Sequence, residues 1–234
     1  MDCLFCLIAI AYLLERLWRY SQTRRVVAPY LVFSAVLSIA GVLDQSPVHT
    51  PPYAQSREQA AVDKAWALQI ESVEPPGAAI LELPYVDDVD SLEARMEQVP
   101  FMYSAGLHWS VGAYRDTPAA GFENWLAALP PKPMVAAALL AGFDGILIYR
   151  GQYNDRAAAL EAGLQAITGR LPLVGEGQSQ SFFSIGGLVA KAHASDSAVG
   201  TPQGIAEAVD ISRNPNPVQT EQLRRIESTF EGTH

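Results

Sequence analysis

The sequence predicts a mixed α/β protein. One or two N-terminal transmembrane helices precede a small extracytoplasmic α/β domain with a mixed sheet of about four strands. Three observations carry this prediction. Val26–Leu43, VVAPYLVFSAVLSIAGVL, holds no charged residue, and a run of about 18 apolar residues in helical rise approaches the thickness of a bilayer's hydrocarbon core. Arg16, Arg19, Arg24 and Arg25 cluster in front of that run, which by the positive-inside rule makes the preceding loop cytoplasmic and turns the rest of the chain outward. From Pro133 onward the apolar pattern alternates as helix, strand, helix, strand, strand, the order of an α/β domain.

In chain order, Cys3–Leu14 is apolar and closed by Glu15-Arg16. It is short for a full span and has no cleavage site after it, so it reads as a second span cut at its start. The expected transmembrane region is 1–45, with spans near 3–18 and 26–43 and a cytoplasmic loop at 15–25. This places the protein in the cell inner membrane with its large domain on the periplasmic side, and makes the lipid bilayer its first partner. Pro29 and Gly41 stand near the ends of the second run, where a membrane helix tolerates them. The prolines of Ser46–Tyr53 mark an extended connector.

The extracytoplasmic domain is expected over 46–186. Gln55–Val73 has Val62, Trp66, Ile70 and Val73 along one face and predicts a helix, stopped by Pro75-Pro76-Gly77. Ala78–Tyr85 predicts a strand entered through Gly77 and closed by Pro84. Ser91 caps a helix that runs to about Gln98. Met102–Ala113 is aromatic and punctuated by glycine, a loop or irregular strand. Ala119–Leu129 and Pro133–Ala141 predict helices, the second with Pro at its start and Gly142 at its end. Gly145–Tyr149, GILIY, predicts a strand. Asn154 or Asp155 caps a helix over Arg156–Thr168, and Leu171–Val174 with Gln180–Ile185 predict a hairpin around Gly175–Gly177. The remainder, 187–234, is rich in Ala, Ser, Gly, Thr, Asn and Pro. It reads as a flexible polar tail with one isolated surface helix over Gln219–Phe230.

The net charge is −9, and no Lys/Arg cluster is interleaved with aromatics, which excludes nucleic acid as a partner. Both cysteines, Cys3 and Cys6, lie in the first apolar segment, so the domain has no disulfide and no thiolate metal site. Asp87, Asp88, Asp90, Glu93 and Glu97 form the densest acidic patch, but without the glycine and distal glutamate of a calcium loop it reads as a solvated junction. His49, His108, His193 and His234 are scattered, and no metal or cofactor is expected. Glu82 sits mid-strand between Leu81 and Leu83, where a carboxylate needs a partner. Arg150, at the end of the next strand, is the expected one, in a structural ion pair or on the floor of a pocket. His108-Trp109, beside Tyr103 and Tyr114, offers imidazole and an aromatic face that suit a sugar ring. The candidate ligand-binding residues are Glu82, Tyr85, His108, Trp109 and Arg150. No P-loop, dinucleotide fingerprint, nucleophile elbow or zinc-protease motif is present, and no catalytic residue can be named.

In order, Gly41-Val42-Leu43-Asp44-Gln45, Pro76-Gly77-Ala78, Leu83-Pro84-Tyr85, Leu107–Ala113, Ala141–Ile146 with Tyr149-Arg150, and Phe182–Ile185 are similar to the C-terminal end of large bacterial membrane proteins of the GT-C glycosyltransferase-like or sugar-translocase type. The resemblance covers about Ala28 to Ile185. It implies a place in cell-envelope glycan assembly, with a lipid-linked sugar or a glycan and the remaining transmembrane part of a glycosyltransferase as partners. Such proteins place their catalytic acid on an early outer loop that this chain lacks, and Asp87-Asp88-Val89 stands where a Phe-Pro-Glu segment is expected. The expected role is therefore accessory, positioning an acceptor, and the chain reads as a fragment or split product. The alternative is a freestanding membrane-tethered binding or scaffold protein with no enzymatic activity.

Overall fold

The computed structural model describes residues 11–20, 22, 28–45, 53–86, 92–110 and 116–230. It divides into two compact units, 1–56 and 57–234. In the first, residues 11–20 are helical (α1), with an exposed Glu15–Arg19 ion pair one turn apart. A second helix, α2, covers Ala28–Gln45. Trp18 meets Tyr30 edge-on, with ring centroids 5.1 Å apart.

The expected membrane spans are corrected here. No helix among the described residues is long and apolar enough to cross a membrane. The reason lies at the helix ends. α2 has 18 residues and finishes on Asp44-Gln45, so 16 remain before that polar end. At about 1.5 Å per residue they reach about 24 Å, short of the roughly 30 Å of a hydrocarbon core. α1 carries Glu15, Arg16 and Arg19 within its described turns. The inner-membrane placement with a periplasmic domain loses its basis with the spans. Cys3, Cys6, Arg24, Arg25, Val26 and Val27 lie outside the described residues.

α3 (Tyr53–Glu71) begins four residues before Arg57, where the second unit starts, and its buried residues Trp66, Ala67 and Ile70 belong to that unit. The five-stranded sheet has the order β2-β1-β3-β5-β4, from β1 (Ala79–Leu83), β2 (His108–Trp109), β3 (Gly145–Tyr149), β4 (Leu173–Val174) and β5 (Gln180–Ser184). β1 is parallel to β2 and β3, and β5 is antiparallel to β3 and β4. The connection through α4 (Leu92–Tyr103) leads to β2 on one side of β1. That through α5 (Pro118–Ala127) and α6 (Pro131–Leu140) leads to β3 on the other. The sheet is mixed, with one strand more than the sequence predicts. The addition, β2, is two residues inside the segment read as loop or irregular strand.

Each face of the sheet has its own core, because successive side chains of a strand point to opposite sides. Ile80, Leu147, Tyr149 and Phe182 lie under Trp66 and Ile70 of α3. Leu81, Leu83, Ile146, Ile148 and Phe183 lie on the other face, with α5, α6 and α7 (Ala158–Thr168). Met134 through Leu140 of α6 are each fully buried, as expected of a helix apolar on every side. α6 ends where Gly142 N–H donates to Leu139 O (3.0 Å) and Phe143 N–H to Ala138 O (2.9 Å). Gly142 has φ +85 there, the left-handed cap that glycine takes without strain.

The polar tail expected at 187–234 is also corrected. Residues 189–228 form α8 (Val189–Ser195), α9 (Pro202–Arg213) and α10 (Pro217–Ser228). Ala208, Ile211, Leu223, Ile226 and Phe230 are buried in the second core. Thr201 and Asn216 each cap a helix whose first residue is proline, a strong start signal. The buried residues recur at three- and four-residue spacing. Gly204 permits the close approach, since a Cβ there would lie 2.1 Å from Ala198 O and 2.7 Å from Leu140 O.

Candidate functional site

The strand order reverses direction at β1, and in open α/β sheets the crevice beyond the carboxyl ends of such strands is where ligands bind. Glu82, second from the end of β1, faces the α3 side, beside Ile80 and 4% exposed. Tyr149, the last residue of β3, donates its hydroxyl proton to Glu82 Oε1 at 2.9 Å. Glu82 N–H donates to Ser110 Oγ at 3.0 Å, which ties the residue after β2 to β1. Tyr85 follows two residues beyond β1, half-buried.

Arg150 does not pair with Glu82 as the sequence suggested. It follows Tyr149 and so turns to the other face, where Nε and Nη2 donate to the two carboxylate oxygens of Glu161 at 2.6 and 2.8 Å. Ser181 Oγ donates to Glu161 as well, and Ser181 lies opposite Ile148 in the ladder. Burial pushes the Glu161 carboxyl up, but the hydrogen bonds from Arg150 and Ser181 and the Arg150 charge outweigh it and hold it below its ordinary value. The bond to Glu161 raises the Arg150 guanidinium in turn.

His108 and Trp109 stand apart from these residues along the sheet. They pair with Ala79 and Ile80 at the amino end of β1. His108 is exposed, and Trp109 donates its indole N–H to Ser104 Oγ. Of the five sequence candidates, Glu82, Tyr85 and Arg150 share one end of the sheet. Tyr114, Asp87, Asp88 and Asp90 lie outside the described residues. No group of three His, Cys, Asp or Glu side chains among the described residues could hold a metal.

A second polar cluster, which sequence reasoning misses, lies at the amino end of β3. Glu74, in the turn after α3, is 7% exposed. Asp144, just before β3, accepts from Ala79 N–H through Oδ2 at 3.0 Å and from Ile185 N–H and Gly186 N–H through its carbonyl at 2.7 and 2.8 Å. Burial and the nearby Asp144 raise the Glu74 carboxyl above its ordinary value, against a Ser184 hydrogen bond and the Arg170 charge. An acid immediately before Pro75-Pro76-Gly77 and an aspartate in Gly142-Phe143-Asp144-Gly145 were the available signals. Neither reveals that the two meet.

No protein-family model, curated protein or solved structure matches this chain.

Proposed function

We propose that residues 57–230 form an accessory carbohydrate-binding domain in glycan assembly, which holds an acceptor beyond the carboxyl ends of β1 and β3 and does not transfer sugar by itself. The observation that carries this reading is that Glu82, Tyr85 and Arg150 all lie at the carboxyl ends of β1 and β3, Glu82 and Arg150 on opposite faces, beside the point where the strand order reverses and where α/β sheets take ligands. Tyr85 offers an aromatic face to a sugar ring. The partly exposed Arg150–Glu161 pair supplies a fixed hydrogen-bonding edge, and the buried Tyr149–Glu82 bond holds the two strand ends together. Each of these polar groups already has a partner within the fold, an arrangement suited to orienting hydroxyls more than to moving protons. The resemblance of the motif order to GT-C-like proteins supports the glycan as the ligand class.

The test is a titration of the isotope-labelled chain with neutral oligosaccharides, followed by amide NMR. Shifts at Tyr85, Ser110 and Arg150, with roughly tenfold weaker binding in Tyr85→Ala, are expected. Turnover of a lipid-linked sugar by the chain alone would overturn the accessory role. Absence of any saccharide binding would leave the scaffold alternative.

A further inference from the structure

Three helices of the second core leave a cleft of about 680 Å³ between them, within the roughly 300–1,000 Å³ of sites that take small molecules. Pro130, Pro131 and Pro133, at the start of α6, form one wall. α7 supplies a second through Ala166 and Ile167, and the end of α10 a third through Phe230. The core beneath sets these walls. Ile167 and Phe230 are 2% and 4% exposed. α7 approaches α6 so closely that a Cβ on Gly163 would stand 2.7 Å from Pro131 Cβ. Met134 N–H donates to Pro130 O at 3.0 Å, which fixes the first turn of α6. The cleft is therefore formed before any ligand arrives.

Its lining is poor in donors. Proline has no N–H, so three of the four residues 130–133 offer no backbone donor. The charged side chains of the lining are one lysine, Lys132, and one glutamate, Glu227, whose formal charges cancel. We propose that this cleft binds an uncharged small molecule with an aromatic ring system. An electrically balanced, mainly apolar lining gives an ion no net attraction to set against its lost hydration. A sugar, with a hydroxyl on nearly every carbon, finds too few partners here. The proline rings and the Phe230 ring are rigid, and an aromatic ligand stacks against them without the rotamer entropy that a flexible chain of equal area loses on binding. Lys132 is exposed and Glu227 half-buried, so a polar substituent on the ligand is met where the cleft opens to water.

Fluorescence titration of the full chain with N-phenyl-α-naphthylamine tests this. Saturable binding with blue-shifted emission is expected. Ala166 is exposed, so Ala166→Trp can turn a large side chain over the cleft without entering the core, and it should weaken binding at least about tenfold. Ala166→Leu, a smaller intrusion, should weaken it about threefold and keeps the test decisive if the tryptophan variant fails to fold. Val32→Asp, at an exposed apolar position of α2, should leave binding unchanged. Anilinonaphthalenesulfonate, which adds a charge to the same rings, and n-decanol, apolar but flexible, should each bind at least about tenfold more weakly. Absence of saturable binding, unchanged affinity in the Ala166 variants, loss of binding in Val32→Asp, or equal affinity for either comparison compound would overturn the proposal. Site and probe both differ from those of the carbohydrate test, so either reading can fail without the other.

Discussion

Tyr149 gives its hydroxyl proton to Glu82 at 2.9 Å, across two parallel strands that are neighbours in the sheet though far apart in sequence. Both side chains lie on the face that α3 covers, and both are nearly inaccessible to water. Tyr149→Phe removes this donor from a buried carboxylate. The expected cost is about 1–3 kcal/mol, read as a lower urea midpoint with unchanged slope. A midpoint equal to the parent's would mean that the hydrogen bond contributes nothing to the sheet.

Arg150 and Glu161 form a forked pair on the opposite face. Arg150→Lys keeps the charge but loses the two-pronged geometry, so it should recover only part of the roughly 2–3 kcal/mol lost in Arg150→Ala. Thermal denaturation of the three proteins gives the order directly.

The same pair predicts a response to acid. The Glu161 carboxyl is lowered from its ordinary value of 4.5. Its contribution is therefore complete above that value and is lost as pH falls through the lower folded-state value. Glu161→Gln should be less stable than the parent at neutral pH, and the difference should shrink on acidification. A constant difference across the acid range would contradict the assignment.

Glu74 predicts the reverse slope. Its carboxyl is raised from 4.5, so its contribution is complete below 4.5 and is lost as pH rises through the folded-state value. Glu74→Gln should melt higher than the parent at neutral pH, and this advantage should vanish toward acid. Melting curves taken from acid to neutral pH separate this from the Glu161 effect, which has the opposite sign.

Ile226 of α10 is fully buried. Ile226→Ala should destabilise the second unit by about 2–5 kcal/mol, seen as one shifted unfolding transition. An unchanged transition would mean that the C-terminal helices are not part of the cooperative core.

Much of the sheet was legible because its strands carry local signals. Gly145–Tyr149 is a β-rich run bounded by a helix cap and a charged residue, and it forms β3 with those bounds. The hairpin of β4 and β5 was legible from its glycine-bearing turn. β2 was not, because two residues cannot show a period. The C-terminal helices were obscured by composition. α10 is mostly polar, yet Leu223 and Ile226 share its buried face with Gln222, so average polarity concealed a narrow apolar stripe. The expected Glu82–Arg150 pair failed on parity. The strands are neighbours as expected, but the position one residue after Tyr149 belongs to the other face. Asp144 comes near enough to act on Glu74 through tertiary structure, with its own carboxylate held by Ala79 N–H, a long-range pairing with no local trace. The apolar run before Asp44 was legible as a helix, but an absence of charges does not show where a helix starts and stops.

The two outermost strands, β2 and β4, are each two residues long. An outer strand offers its unpaired N–H and C=O groups as a template for another chain, and a short one offers few. The three five-residue strands, β1, β3 and β5, are each flanked on both sides within the sheet. Among the described residues, strand-by-strand self-association of the folded domain therefore has little edge backbone to grow from.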